Sequence, residues 1–238
     1  MTLRNSALAR AEQLLGRAAR IRESLKDVQE IDELFTVQTM SLSDRPIEPV
    51  DALWFFGRAR GDTDNLFELV TLALKLDTAQ HVVINGSDGE RQGGNKPGEA
   101  WEGKTVWTQR LKEFGVERVH YCRPAMNTKE EGDEYLTYSL AQGWETAAIV
   151  CQPHQAVRAM LGLVETMTKR CQFLRVYVIA PDITNWFRPV FGSQGHDELP
   201  RYLHIQQELI RIRLYQTRGD LCSFADLLEY YRNRASIR

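Results

Sequence analysis

An imidazole and a guanidinium, His154 and Arg158, stand four residues apart just after the apolar run Thr146–Cys151. Imidazole titrates near neutrality, at about 6.5 when unperturbed, so His154 is a candidate general acid or base. Arg158 suits a carboxylate or phosphate, which a guanidinium fork grips bidentately. Two more polar stretches follow apolar runs in the same manner: Gly57 and Arg58 after Asp51–Phe56, and Asn85-Gly86-Ser87 at the end of His81–Asn85. Asn127 and Thr128 open the segment leading into Thr146–Cys151, and a helix beginning there offers free amides to an anion. Together these residues describe a polar small-molecule site. Each also has a structural reading: Thr128 as a helix cap, Arg158 as a surface or i, i+4 residue, His154 as a loop residue.

Several sharper motifs fail on context. Gly98–Thr105 (GEAWEGKT) matches the P-loop pattern letter for letter. That pattern works because amides directly after a strand cradle phosphates. Here no strand immediately precedes Gly98, and Glu99 and Glu102 would face the anion, so Lys104 and Thr105 are expected inside a helix. Gly57–Gly61 is not GxGxxG, and no acidic residue ends the second strand, so the dinucleotide fingerprint is missing. Ser87 lacks the G-x-S-x-G elbow of a hydrolase nucleophile and reads as a turn hydroxyl. The five histidines show no HExxH-like pair, and the four cysteines (Cys122, Cys151, Cys171, Cys222) no CxxC or CxxH spacing. No metal site is expected. Cys151 and Cys171 lie in or beside apolar runs, where a thiol behaves as a small hydrophobe.

The elements that must position these residues follow from periodicity. Thr128 and Glu131 have the spacing of a capping box, so a helix begins there, and Gly143 ends it. Asp51–Phe56, His81–Asn85, Val116–Cys122, Thr146–Cys151 and Leu174–Ala180 are short apolar runs without alternation, as expected of strands covered on both faces. Helices are expected at Asn65–Leu76 and Glu99–Phe114 between them. Such alternation implies parallel strands joined by right-handed crossovers, a Rossmann-like three-layer α/β fold with about five strands. In such a sheet ligands bind outside the carboxyl ends of the strands. Pro181–Pro200 reads as a long loop, and Tyr202–Tyr231 as a C-terminal helical region on the same domain. At the other end, Ala11, Leu14, Ala18, Ile21, Leu25, Val28 and Phe35 recur every three or four residues. This is one amphipathic helix, or two joined near Ser24, that packs on the domain, forms an oligomer seam or lies on a membrane surface. Residues 36–50, with Pro46 and Pro49, read as a connector.

The ordered set of an Asn-Thr-x-Glu helix start, a Gly, an apolar strand and then His and Arg-Ala resembles the bacterial DUF218 family, which includes the YdcF, SanA and ElyC proteins. Gly57, Asn85-Gly86-Ser87 (where the family usually has Ser-Gly-Gly) and Glu99-Ala100 extend the likeness over roughly residues 50–220. The chain has His-x-x-x-Arg where His-x-x-Arg is more usual. The resemblance implies a Rossmann-like α/β domain and, by analogy with YdcF, S-adenosylmethionine as a possible ligand. Glu99 and Glu130 match acidic positions of the family and either bind a ribose hydroxyl or cap a helix.

Composition bounds the rest. The net charge is −2, so no basic footprint for nucleic acid appears. Neither a signal peptide nor an apolar window of membrane-spanning length is evident, which sides the chain with the soluble YdcF type and a reduced, cytoplasmic setting. Three function classes follow. The first is a protein binding a nucleotide-like ligand through Gly57, Arg58, Asn85, Gly86, Ser87, Glu99, Asn127, Thr128, Glu130, His154 and Arg158. The second is a transferase or hydrolase acting on a phosphorylated or nucleotide-linked envelope precursor, with His154 as acid or base. The third is a non-catalytic partner protein, possible as a homo-oligomer through its N-terminal helix.

Overall fold

A computed structural model describes residues 29–56, 63–88, 102–183, 185–191 and 198–237. Its centre is a five-stranded, all-parallel sheet of β1 (Val50–Phe55), β2 (Ala79–Ile84), β3 (His120–Tyr121), β4 (Thr146–Val150) and β5 (Arg175–Ile179), in the order β3-β2-β1-β4-β5. The three-layer α/β, Rossmann-like architecture expected from the sequence is the one present. Phe55 pairs with Ile84 and with Val150, Ile84 with Tyr121, and Val150 with Ile179. Those five residues therefore mark one common carboxyl edge.

The strands are apolar on both faces because both are covered. Leu53, Phe55, Val82, Ile84, Ala148 and Val150 pack under α2 (Asp64–Lys75) and α3 (Gly103–Glu113), where Phe55, Phe67 and Trp107 form an aromatic cluster with centroids 4.4–5.2 Å apart. On the other face Ala52, Trp54, Phe56, Ala147, Ile149 and Cys151 meet α4 (Thr128–Gln142), α5 (Ala156–Arg170) and α7 (Phe224–Asn233). Burying an aromatic such as Trp54 contributes about 2–3 kcal/mol through apolar area alone. Its indole also donates to Ser139 Oγ at 3.0 Å, and Tyr135 donates to the Phe55 carbonyl at 2.6 Å. The amino edge is closed by Asp51, whose carboxylate accepts from the amides of Glu145 and Thr146, both at 2.9 Å.

Several boundaries differ from expectation. The capping box is one residue off: Asn127 is the N-cap of α4, its Oδ1 accepting from Lys129 and Glu130 amides, while Glu130 accepts from the Met126 amide at 2.8 Å. Thr128 and Glu131 lie inside the helix. Gly143 does end α4, in the left-handed conformation at φ 72°. The third strand shrinks to two residues, since β3 is the sheet margin and pairs on one side only. Residues 36–43, read as connector, continue the helix of residues 29–43, here α1. They do so because Val37 and Ser41 reach the domain, Ser41 sharing a 2.7 Å hydrogen bond with Tyr231. The 181–200 loop contains an antiparallel pair, β6 (Pro189–Phe191) and β7 (Glu198–Pro200), and the C-terminal region is two helices, α6 (Arg201–Thr217) and α7. Cys122, Cys151 and Cys222 are buried, whereas Cys171 is exposed at the end of α5. The part of the N-terminal reading before residue 29 lies outside the described residues.

Candidate functional site

The chain runs outward from β1 to β2 and β3, then returns through α4 to place β4 beside β1. The sense of winding reverses between β1 and β4, and a crevice at their carboxyl ends is the usual ligand position of such a sheet. Gly57 and Arg58, which follow β1 in the sequence, lie outside the described residues, as does Glu99. From β4 comes Cys151-Gln152 and a short 3-10 turn, Pro153–Gln155, which delivers His154 at the start of α5. Gln152 donates through Nε2 to Asn65 Oδ1 at 3.0 Å, tying this turn to the start of α2. Gln155 is 2 % exposed, and its Oε1 has no hydrogen-bond partner among the described residues. The His154 ring lies over His204 of α6, centroids 5.8 Å apart. Sequence and structure agree that His154 belongs to this edge.

Asn85 and Gly86 serve the scaffold. The Asn85 side chain is wholly buried and uses both ends of its amide. Nδ2 donates to the Ala125 carbonyl at 2.9 Å and to Glu131 Oε1 at 3.1 Å, while Oδ1 accepts from the amides of Ser87 and Ala125. It therefore pins the loop after β2 to the connection entering α4. A Cβ on Gly86 would stand 2.1 Å from the Cys122 carbonyl oxygen, so only glycine lets the two backbones approach this closely. The neighbouring Cys122 thiol is pushed up to about 12, by burial first and then by the Glu131 carboxylate, and is no nucleophile at neutral pH.

Carboxylates of the chain itself occupy the helix starts along this edge. Ser87 accepts the Lys104 amide at 2.8 Å through its carbonyl, and Asp88 caps α3, accepting from the Thr105 amide and hydroxyl at 2.9 and 2.8 Å. Lys104 Nζ stands 3.5 Å from the same carboxylate. The lysine and threonine of the P-loop look-alike thus lie in a helix and answer to an aspartate. At α4 the carboxylate is Glu130, which also accepts from Asn127 Nδ2 at 2.9 Å. Beside α5 it is Glu208, reaching across from α6.

Arg158, expected to await a ligand, instead forms a buried ion pair with Glu208 through Nε and donates from Nη1 to Thr128 Oγ1 at 3.2 Å. Glu208 also accepts from Arg211 Nη1 at 2.6 Å. Burial disfavours ionisation of Glu208, but the Arg158 guanidinium outweighs it and the carboxyl is pushed down to about 2. Arg158 responds in kind: burial opposes its charge, the Glu208 carboxylate restores it, and its pKa stands above the ordinary value.

Four residues of this edge escaped the sequence reading: Asp88, Gln155, His204 and Glu208. The signal for two of them is a polar stripe at helical spacing, since Arg201, His204 and Glu208 are all buried on α6. Arg123, exposed between β3 and α4, has no ion-pair partner among the described residues. Among the described residues, no helix is long and apolar enough to cross a membrane. Comparison with protein-family models, curated proteins and solved structures returned no match. The DUF218 resemblance is carried by the ordered motifs alone.

Proposed function

We propose that this chain is a DUF218-type protein that binds a nucleoside-like small molecule in the crevice between the carboxyl ends of β1 and β4. The observation that carries the proposal is the reversal of winding there, with His154 and the buried Gln155 Oε1, which has no hydrogen-bond partner among the described residues, on the turn that leaves β4. S-adenosylmethionine is the first candidate, from the resemblance. The charge arrangement supports the same ranking. Asp88 and Glu130 take up backbone amides at the helix starts, and Glu208 the Arg158 guanidinium, that a polyphosphate would need, so a phosphate beside Arg158 would have to displace Glu208. A ligand offering amino and hydroxyl donors with little negative charge meets less repulsion.

Calorimetric titration with S-adenosylmethionine, S-adenosylhomocysteine, adenosine and ATP tests this. The expected order places the first two well ahead of ATP. ATP binding more tightly than S-adenosylmethionine, or no heat from any of the four, overturns the reading. His154 also favours a second one, a transferase or hydrolase in which the imidazole moves a proton. In that case His154→Ala leaves affinity nearly intact and removes turnover, along with the imidazole limb of its wild-type pH profile.

A further inference from the structure

The amphipathic pattern of α6 is turned inside out. Its core-facing side carries Arg201, His204 and Glu208, all buried, whereas Tyr202, Ile205, Leu209, Ile210 and Leu214 are exposed, Ile210 to 68 %. Residues 202, 205 and 209 line one row of a helix and 210 and 214 the next, so the five make one outward face along most of the element's length of about 25 Å. Phe187, 77 % exposed, extends this face at the amino end, its ring centroid 5.5 Å from that of Tyr202. Gln206 and Arg213 interrupt it, and Arg213 already pairs with Glu30 of α1. Together the six apolar residues leave on the order of 600 Å² open, which approaches the roughly 800 Å² that each partner buries in a standard protein interface.

The two ends of the face carry opposite charges. Glu198 of β7 lies just ahead of α6 and Arg218 just past its end; both are exposed, and neither has an ion-pair partner among the described residues. Asp220, the acid nearest Arg218 in sequence, is taken by Lys129. Residue 208 stands midway in sequence between Glu198 and Arg218, and midway also between Tyr202 and Leu214. Charge and apolar surface therefore share one centre.

We propose that this face is the interface of a symmetric homodimer, in which α6 packs antiparallel against α6 of a second copy of this chain. A half-turn about the centre of the face brings Glu198 of each copy to Arg218 of the other, at both ends at once. Between them it lays Tyr202 against Leu214 and Gln206 against Ile210. Being its own complement under a half-turn is what a two-fold interface requires, and a parallel mate would set like charges together. A membrane surface is the weaker occupant, because a face that lies on anionic lipid is bordered by basic residues and this one is acidic at one end. The inference does not depend on the ligand proposed above.

Sedimentation equilibrium of the full chain across a micromolar concentration series is the test, with Ile210→Glu, Glu198→Arg, Arg218→Glu and the double variant carrying both charge reversals. The wild type should sediment with the mass of two chains. Ile210→Glu should associate roughly a hundred-fold more weakly, because its carboxylate must be buried between the copies. Each charge reversal should weaken association about ten-fold, and the double variant, which restores both pairs with their signs exchanged, should return towards wild type. Dilute enough to be monomeric, Ile210→Glu and the wild type should unfold at the same temperature, since the side chain is exposed in the single chain. A wild type that stays monomeric overturns the proposal, as does an Ile210→Glu variant that dimerises like wild type or a double variant no tighter than its parents. A monomeric wild type that co-sediments with phosphatidylserine–phosphatidylcholine vesicles overturns it too, and assigns the face to a membrane.

Discussion

Arg158 is where residue type was legible and residue role was not. An arginine two residues into the helix after β4 advertises anion binding, and it does bind a carboxylate, but that carboxylate is Glu208, fifty residues along the chain. Pairwise partners at such separation leave no local spacing to read. The consequence for substitution is specific. Arg158→Ala should deprive the buried Glu208 carboxylate of its main counter-charge and cost about 3 kcal/mol or more of unfolding free energy. The double replacement Arg158→Met with Glu208→Leu should recover most of that loss, since neither charge is then left buried alone. Urea denaturation of the three proteins decides it. An Arg158→Ala variant that unfolds at the wild-type urea concentration would mean that the guanidinium contributes nothing to the fold and is held for a ligand.

Elements were legible where pattern and burial agree. β1, β2, β4 and β5 fall within one or two residues of their apolar runs because strands covered on both faces must be apolar throughout. α6 shows the opposite case. Its buried stripe carries Arg201, His204 and Glu208, while Ile205, Leu209, Ile210 and Leu214 are exposed, so periodicity alone orients it backwards. The start of α4 tests how a candidate site residue divides between ligand and scaffold. Asn127 accepts two amide hydrogens at 3.1 Å and is exposed at the same edge as His154. Asn127→Ala should cost about 1 kcal/mol, the usual loss for an N-cap of this kind, and leave affinity for S-adenosylmethionine within experimental error. Unchanged stability together with weakened binding would reverse the assignment and return Asn127 to the ligand site.

At the scale of the molecule, the polar groups that join the layers all favour their neutral-pH forms, and acid should undo them in order. Partial burial, aided by His81 and Arg118, lowers the pKa of His120 in β3, which shares a 3.2 Å contact with His81 and a 2.9 Å hydrogen bond with Tyr138. Its neutral form is the folded one, so its contribution is complete above about 6.5 and fades as pH falls. At the amino edge, burial raises the pKa of Asp51, but hydrogen bonds from Thr146 and the Glu145 amide outweigh it and hold the carboxyl below its ordinary range. At the carboxyl edge Glu208 is held at about 2. A depressed carboxyl pKa means that the unfolded chain binds the extra proton first, so stability falls as pH drops from about 4.5 towards about 2. Unfolding free energy measured by urea titration should therefore decline gently below pH about 6.5 and steeply below about 4.5. In the Arg158→Met, Glu208→Leu double variant the steep limb should flatten, because the group that titrates furthest below its unfolded value is gone and only Asp51 and the more exposed carboxylates remain. The same slope in both proteins between those pH values would show that Glu208 does not govern the acid stability of this fold.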